Sequence, residues 1–319
     1  MVGNISGASV LGIDVGGTKT VCLLADEDAR ILAEGREDGA NLQGAGELAL
    51  EKVLHSVMEK TLAGTGAIPS AICLGIAGVD RRSDEAVVRG IMVRIGFKAR
   101  ILVLNDALIA LQAGIADGPG IVIVSGTGSI AYGRNDRGEA ARAGGWGSVL
   151  GDEGSGYWIG RHALRAAVRH ADGRGPSTSL TPLLLAHFRV ERAAELIRKV
   201  YDDDLGPPAI AAVAKYVQQA RDEGDPIAAG ILNRAADELV MAATAVMTGL
   251  DLSDKTFTFV LAGGMFHAIP WFYDELRKLL PARAPRSQVI RLDREPALGA
   301  VHFALAELRG GARLPVYRT

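Results

Sequence analysis

The sequence predicts an α/β fold made of two similar domains, and three observations lead to this prediction. Its 319 residues are enough for about two domains. Two apolar runs, residues 71–78 and 101–104, are typical of parallel strands that helices cover on both faces. A strand, a turn rich in glycine and threonine, and a second strand occur near the start of each half of the chain.

The composition indicates a globular protein. Apolar residues make up 48% of the chain, and the net charge of −2 gives no electrostatic argument for binding nucleic acid. No apolar stretch approaches the roughly 20 residues of a membrane span, and the first nine residues lack the features of a signal peptide. Cys22 and Cys73 lie within apolar strand-like runs and are interpreted as buried hydrophobic residues. We therefore expect a cytoplasmic protein without membrane contact.

The first hairpin is the segment with the clearest chemistry. Asp14 ends an apolar strand, Gly16 and Gly17 are expected to supply positive φ angles for a sharp turn, and a second strand follows Lys19. The backbone N–H groups of such a turn can bind an anion, and Asp14 could hold a cation beside it, which indicates a nucleotide phosphate with Mg²⁺. A P-loop is excluded because Thr18 precedes the lysine and because a strand follows. The alternative is an ordinary Gly-Gly hairpin.

Asp106 is the second candidate carboxylate. The pattern continues from the hairpin with a third strand over residues 31–34, a helix over 47–62 and a strand over 71–78. The apolar strand over 101–104 then brings Asn105 and Asp106 to its carboxyl end, where open α/β sheets bind ligands. Asp106 is therefore either a general base or the N-cap of the helix that follows.

The hairpin pattern returns after residues 117–120, which mark a candidate domain boundary. Residues 121–132 again read as strand, turn and strand, and residues 126–129 align with residues 17–20. The following turn at residues 135–137 aligns with residues 26–28. Two such hairpins favour two similar domains that bind one phosphate chain, the alternative being coincidence.

A glycine-rich loop over residues 143–157 contains the third group of candidates. Its glycines allow backbone to approach a ligand, Trp146 offers a flat apolar wall, and Asp152 offers a hydrogen-bond acceptor, which together suit a carbohydrate. A flexible surface loop is the alternative. The rest of the second half reads as helices, including one over residues 209–221, followed by a buried strand that runs into Gly263 and Gly264.

These segments together resemble the N-acetylglucosamine kinase family, with the glucosamine kinases, in the BadF/BadG-type ATPase group of the sugar kinase, actin and heat-shock ATPase superfamily. The resemblance rests on residues 14–18, 105–107, 125–129, 145–155 and 262–264, and it extends over nearly the whole chain. It implies two ribonuclease-H-like (actin-like ATPase) domains with an interdomain cleft, over residues 1–118 and 119–319, with a last helical segment at 297–319 that can pack back on the first domain.

The resemblance also implies an activity and a role for each candidate residue. It implies ATP-dependent phosphorylation of the 6-hydroxyl of N-acetylglucosamine or glucosamine, with Asp106 as the general base and Asp14 holding Mg²⁺. The residues expected to contact the ATP phosphates are Gly16, Gly17, Thr18, Lys19, Gly126, Thr127 and Gly128, and those expected to contact adenosine are Gly263 and Gly264. The residues expected around the sugar are Asn41, Gly78, Asp106, Gly145, Trp146, Gly147 and Asp152.

Two other functions remain as alternatives. One is an ATPase activator of a 2-hydroxyacyl-CoA dehydratase, which would need exposed cysteines for an iron–sulfur cluster. The other is a non-catalytic sugar sensor or an actin-like structural ATPase. We expect a homodimer with a small-molecule sugar substrate. N-acetylglucosamine, glucosamine, N-acetylmuramate and glucose stay open as substrates, because one hydrogen-bonding side chain can decide among them.

Overall fold

The structure is a computed structural model, and it describes residues 7–40, 42–79, 81–202 and 205–318. The chain divides into two compact units, each assembled from separate segments. The first unit consists of Met1–Val122, Tyr132–Ala141 and Leu292–Thr319, and the second of Ile123–Ala131 and Arg142–Arg291.

The strands form two sheets. They are β1 (Ser9–Val15), β2 (Lys19–Ala25), β3 (Ile31–Asp38), β4 (Pro69–Ile76), β5 (Arg100–Asn105), β6 (Gly120–Ser125), β7 (Ser129–Arg134), β8 (Glu139–Gly144), β9 (Thr258–Ala262), β10 (Gln288–Arg291) and β11 (Val316–Tyr317). The first sheet has the order β3-β2-β1-β4-β5, and the second has the order β10-β9-β6-β7-β8-β11.

The helices alternate with strands in the first unit and dominate the second. They are α1 (Leu42–Leu62), α2 (Arg82–Ile95), α3 (Asp106–Gly114), α4 (Gly156–Ala171), α5 (Leu180–Phe188), α6 (Leu196–Tyr201), α7 (Pro207–Ala211), α8 (Ala214–Asp222), α9 (Pro226–Gly249), α10 (Met265–Ala268), α11 (Pro270–Arg283) and α12 (Ala297–Leu308). A short 3-10 helix over Ala193–Glu195 precedes α6. Among the described residues, no helix is both long and apolar enough to cross a membrane.

The first sheet has the expected mixed topology. The strands β1, β2 and β3 form an antiparallel meander, whereas β4 pairs in parallel with both β1 and β5. The apolar residues of β1 and β4 are fully buried, as the uninterrupted apolar runs predict. Parallel pairing places the carboxyl ends of β1, β4 and β5 at one edge of the sheet.

Glycines allow α12 to pack directly on β1 and α3. A Cβ added to Gly12 of β1 would lie 2.4 Å from the backbone nitrogen of Val301 on α12. A Cβ on Gly299 of α12 would lie 1.9 Å from the carbonyl oxygen of Ile109 on α3. No side chain fits at either position, so these glycines set the helix–strand and helix–helix distances within this unit.

The turns that follow the two hairpins share one hydrogen-bonding pattern. The Oδ1 atom of Asp26 accepts the backbone N–H groups of Asp28 and Arg30 at 3.0 and 2.9 Å. The Oδ1 atom of Asn135 accepts the N–H groups two and four residues further along, both at 3.0 Å. Ala29 and Gly138, each three residues after the capping side chain, both have positive φ. The aligned turn residues therefore form the same local structure.

One predicted helix is wrong. The pattern predicts a continuous helix over residues 209–221, but the structure has α7 and α8 with a break between them. A Cβ on Gly160 of α4 would lie 2.0 Å from the carbonyl oxygen of Ile210. The close approach of α4 to this backbone is a tertiary contact that the local pattern does not contain.

Candidate functional site

The carboxyl edge of the first sheet brings together the candidate carboxylates of the first unit. Val15 of β1 pairs with Ile76 of β4, which pairs with Asn105 of β5. Asp14 comes one residue before Val15 in the chain, and Asp106 comes one residue after Asn105. The sheet register therefore places both predicted carboxylates at the same edge, as the sequence predicts.

Asp14 is buried and has several charged neighbours. Its side chain is buried, and burial raises its pKa to about 8, with further contributions from the negative charges of Asp106 and Glu295. The positive charge of Lys19 opposes this shift. The negative charges near Asp14 affect its pKa more than the positive charge of Lys19 does, and a cation bound beside Asp14 would lower this pKa.

Asp106 begins α3, but Asn105 is the N-cap residue of this helix. The Oδ1 atom of Asn105 accepts the N–H group of Ala107 at 2.8 Å. The Oδ1 atom of Asp106 accepts the same N–H group at 3.0 Å. Asn105 thus occupies the N-cap position, and the Ala107 N–H group donates to both Asn105 and Asp106.

The first hairpin turn differs from its prediction in one respect. Neither Gly16 nor Gly17 has a positive φ, so the expected backbone conformation is wrong. The Gly16 N–H group donates to the Lys19 carbonyl oxygen at 3.0 Å, and no atom of the described residues lies within 4 Å of an added Cβ on Gly17. Neither backbone conformation nor packing within the described residues therefore requires glycine at position 17.

Two residues near this turn were not identified from the sequence. A Cβ on Gly39, the residue after β3, would lie 2.3 Å from the backbone nitrogen of Thr18, so only glycine allows this segment to approach the turn so closely. Glu295 precedes α12, and its two carboxylate oxygens accept Lys19 Nζ at 2.7 Å and Arg36 Nη2 at 2.9 Å. Burial opposes its ionisation, but these two hydrogen bonds lower its pKa.

Gly78 is the sugar-site candidate that follows the middle strand of this edge. Gly78 follows β4 and has a φ of 78°, a conformation that favours glycine. Asn41 lies outside the described residues.

The second hairpin is joined to the glycine-rich loop within the second unit. The Gly126 N–H group donates to the Gly128 carbonyl oxygen at 2.9 Å, and the Gly126 carbonyl accepts the N–H group of Gly156 at 2.8 Å. Tyr157 donates its N–H group to the Thr127 carbonyl at 3.3 Å. The predicted phosphate turn therefore contacts the start of α4, where the loop ends.

Asp152 contacts the phosphate turn from the glycine-rich loop. A Cβ on Gly128 would lie 2.8 Å from Asp152 Oδ2, so glycine is required for this contact. Asp152 is buried with a φ of 61°. Burial raises its pKa, Glu153 adds to the shift, and backbone N–H groups of Ser129 and Gly147 oppose it by hydrogen bonding to the carboxylate.

The neighbouring part of the loop exposes an aromatic surface. Gly145 and Gly147 have φ values of 71° and 82°, so the loop turns sharply on both sides of Trp146. The Trp146 side chain is 60% exposed, and the Arg142 guanidinium lies 5.0 Å from its ring centroid. An exposed indole beside a buried carboxylate can contact both the C–H face and a hydroxyl of a sugar.

Gly263 and Gly264, the predicted adenosine contacts, differ in how closely the protein packs around them. Gly263 follows β9 with a φ of 105°, and an added Cβ would lie 2.3 Å from the Ser125 carbonyl oxygen. Around Gly264, no atom of the described part of the chain lies within 4 Å of an added Cβ. Gly263 is therefore needed for close packing, whereas Gly264 leaves open space above the backbone.

Comparisons with known proteins agree with the motifs along the whole chain. The sequence is 37% identical over 301 residues to the N-acetylmuramic acid/N-acetylglucosamine kinase of Clostridium acetobutylicum, covering 93% of this chain and 98% of that enzyme. It is 32% identical to the N-acetyl-D-glucosamine kinase of Dictyostelium discoideum, covering 92% and 97% of the two chains.

Solved structures confirm the predicted α/β fold class. A provisionally assigned N-acetylglucosamine kinase from Chromobacterium violaceum superposes with a TM-score of 0.75 at 28% identity, covering 93% of this chain and 98% of the other. A ROK family glucokinase from Streptomyces griseus shares the fold alone, with a TM-score of 0.59 at 20% identity over 96% of this chain and 99% of the other. Residues 11–304 match the BadF/BadG/BcrA/BcrD ATPase family. The predicted family is confirmed, and the chain belongs to the BadF/BadG/BcrA/BcrD ATPase family.

Proposed function

We propose that this protein is an ATP-dependent kinase that phosphorylates the 6-hydroxyl of an amino sugar, N-acetylglucosamine or glucosamine. The observation that carries the kinase assignment is the pair of Asp14 and Asp106 at one sheet edge, close enough for one charge to raise the pKa of the other. The choice of amino sugars rests on the two relatives with at least 32% identity, both of which are named as N-acetylglucosamine kinases.

Asp106 would act as the general base. Its place at the carboxyl end of β5 allows the carboxylate to accept the proton of the sugar 6-hydroxyl as that oxygen attacks the γ-phosphorus of ATP. Phosphoryl transfer depends mainly on positioning and charge neutralisation, and a general base contributes roughly 10²–10⁴-fold.

Asp14 would hold Mg²⁺ directly or through water. The donors at this edge are carboxylate oxygens, which Mg²⁺ prefers, and the neighbouring negative charges act on Asp14 more strongly than the positive charge of Lys19, which fits a cation. Among the described residues, no group of three or more potential ligands forms a complete metal site. This agrees with an ion that is bound by one or two carboxylates and by substrate phosphates, where it supplies charge neutralisation.

The other candidates would divide between substrate groups. Open backbone at Gly17 and Gly126 supports phosphate contacts by the two hairpins, with Thr18, Lys19 and Thr127 as side-chain donors. Asp152 and Trp146 would contact the sugar, and Gly264 the adenosine. A cytoplasmic homodimer is part of this proposal, and sedimentation velocity would measure its assembly state.

The substitution Asp106→Asn tests the proposed mechanism. It removes the base while keeping a side chain of the same size, so we expect kcat to fall by about 10²–10⁴-fold. Affinity for ATP, measured by calorimetry, should stay within about threefold because the base contacts the sugar hydroxyl. Asp117→Asn, on an exposed residue after α3, is the control.

A coupled ADP-release assay over hexoses and hexosamines, including N-acetylmuramate, would identify the sugar. If Asp106→Asn keeps most of its activity while its unfolding temperature is unchanged, Asp106 is not the base. If no sugar in the panel accelerates ADP release by the native protein, the kinase assignment itself is wrong.

The dehydratase-activator alternative finds no support in the cysteines. Cys22 and Cys73 are both fully buried within strands, and burial raises the pKa of both thiols, that of Cys22 to about 12. A cluster ligand must be an accessible thiolate. Neither cysteine meets that condition.

A further inference from the structure

A groove between α4 and α9 in the second unit has a basic rim and an apolar floor. Its volume is about 320 Å³. His162, Arg165 and Arg169 line it from α4, and Ile227, Ile231 and Arg234 line it from α9. Spacings of three and four residues place each set on one helix face. The two faces oppose each other across the groove.

The positive charge of the groove is not neutralised by the protein. No aspartate or glutamate is among the described residues that line it. Arg165 and Arg234 form no ion pair within the described ranges, and Arg169 Nη2 donates to the Arg174 carbonyl oxygen at 3.1 Å. Asp172, at the end of α4, pairs instead with Arg174 at 2.6 Å. Three guanidinium groups therefore face one groove without a carboxylate partner.

Arginines of both helices affect the pKa of His162. Its Nδ1 atom lies 2.8 Å from the Trp158 carbonyl oxygen, and its ring stacks on the Trp158 ring with centroids 3.7 Å apart. Burial lowers its pKa, and the positive charges of Arg234, Arg161 and Arg165 lower it further. Arginines from both helices thus act on one point of the groove.

The chemistry of the lining selects a class of ligand. Guanidinium groups bind phosphate through paired hydrogen bonds, and several of them around one site favour a doubly charged phosphate over a carboxylate. The apolar residues of the lining that water can reach are the partly buried Ala166 and Ile227 and the exposed Pro176, whereas Ile231 is already buried. This apolar surface would stay in contact with water under inorganic phosphate but would be covered by an organic group.

We propose that this groove is a binding site for a small organic phosphate monoester, whose phosphate contacts the arginines and whose apolar portion covers Ile227 and Pro176. The site lies on residues to which the proposed kinase reaction assigns no role. It is therefore independent of that proposal.

Calorimetric titration with three probes tests the ligand class. Phenyl phosphate carries both required groups, inorganic phosphate carries only the charge, and benzyl alcohol carries only the apolar ring. The titrations are made with a saturating non-hydrolysable ATP analogue and Mg²⁺, so that a nucleotide site does not contribute. We expect phenyl phosphate to bind at least about tenfold more tightly than either other probe, since burying its ring adds to the ionic contacts.

The double variant Arg165→Gln/Arg234→Gln tests the location. It should weaken phenyl phosphate binding by at least about tenfold, because charge-assisted hydrogen bonds to two arginines are lost. The matched control is Lys52→Gln/Arg283→Gln, which removes two exposed cations that form no ion pair in the described part of the chain. The control should bind like the native protein.

Three results would overturn the proposal. They are the absence of phenyl phosphate binding, equal binding by native protein and the double variant, and equal binding of benzyl alcohol and phenyl phosphate. Both arginines are exposed on helix surfaces, so the double variant should fold, and its unfolding temperature checks this.

Discussion

Asp152 is expected to destabilise the ligand-free protein while serving the proposed sugar site. Its pKa is raised, primarily by burial, so the folded protein keeps a proton that the unfolded chain has lost. The folded protein therefore loses stability as the pH rises. The loss begins at pH about 4, near the pKa of Asp152 in the unfolded chain, and continues through its raised pKa in the folded protein. Asp152→Asn removes this titration, and asparagine tolerates the positive φ at this position. We expect its unfolding temperature to exceed that of the native protein by more at pH about 8 than at pH about 4.

The same substitution should lower kinase activity, because the uncharged amide has one acceptor oxygen where the carboxylate has two, and it is the weaker acceptor of a sugar hydroxyl. Asp136→Asn, on an exposed turn residue, is the control for kinase activity and should leave it unchanged. A constant difference between native protein and Asp152→Asn across this pH range would contradict the argument. Circular dichroism melts over a pH series provide the measurement.

Single residues were predictable from the sequence where local pattern determines their place. Asp14 and Asp106 each follow an apolar strand, and the parallel register brings them to one edge. Glu295 could not be found in this way, because its partner Lys19 lies 276 residues earlier in the chain. Only the return of the last segment to the first unit brings these two charges together.

At the scale of elements, two glycines of the first hairpin should respond differently to alanine. A Cβ on Gly12 would overlap the backbone of α12, whereas no atom of the described residues lies within 4 Å of a Cβ on Gly17. We expect Gly12→Ala to lower the free energy of unfolding by about 1–3 kcal/mol or more through overpacking. Gly17→Ala should leave stability nearly unchanged and should raise the KM for ATP, since the methyl group fills the space proposed for phosphate.

Urea unfolding and steady-state kinetics on both variants separate these effects. Gly17→Ala is the matched control for Gly12→Ala, as both changes add one methyl group to the same hairpin. Equal stability of the two variants would show that α12 can move away from β1 without cost. An unchanged KM for ATP in Gly17→Ala would count against phosphate binding at the first turn.

Most elements could be predicted, and the failures share a cause. The repeated turns after Asp26 and Asn135 depend on hydrogen bonds within five residues, so alignment of the two halves was sufficient to find them. The break between α7 and α8 and the strand β11 depend on contacts with distant segments. The positive φ angles predicted for Gly16 and Gly17 are wrong, and a role of these glycines in phosphate binding stays a prediction.

At the scale of the whole molecule, the first unit should depend on the C-terminal segment for folding. Residues Leu292–Thr319 belong to this unit, and α12 covers β1 with buried residues that include Ala300, Val301 and Ala304. A chain that ends at residue 291 would expose the fully buried apolar face of β1 to water. We expect it to be insoluble or rapidly degraded by protease.

The shorter deletion of residues 312–319 is the control for this experiment. It removes β11, the edge strand of the second sheet, whose two exposed residues pair with β8 in the described structure, but it keeps α12. Limited proteolysis should therefore give the native pattern for this variant, with an unfolding temperature within a few degrees of the native protein. If the chain ending at residue 291 is equally resistant to protease, α12 is not needed to complete the first unit. The two deletions thus distinguish α12, a helix that is part of the core of the first unit, from β11, a terminal strand at the edge of a sheet.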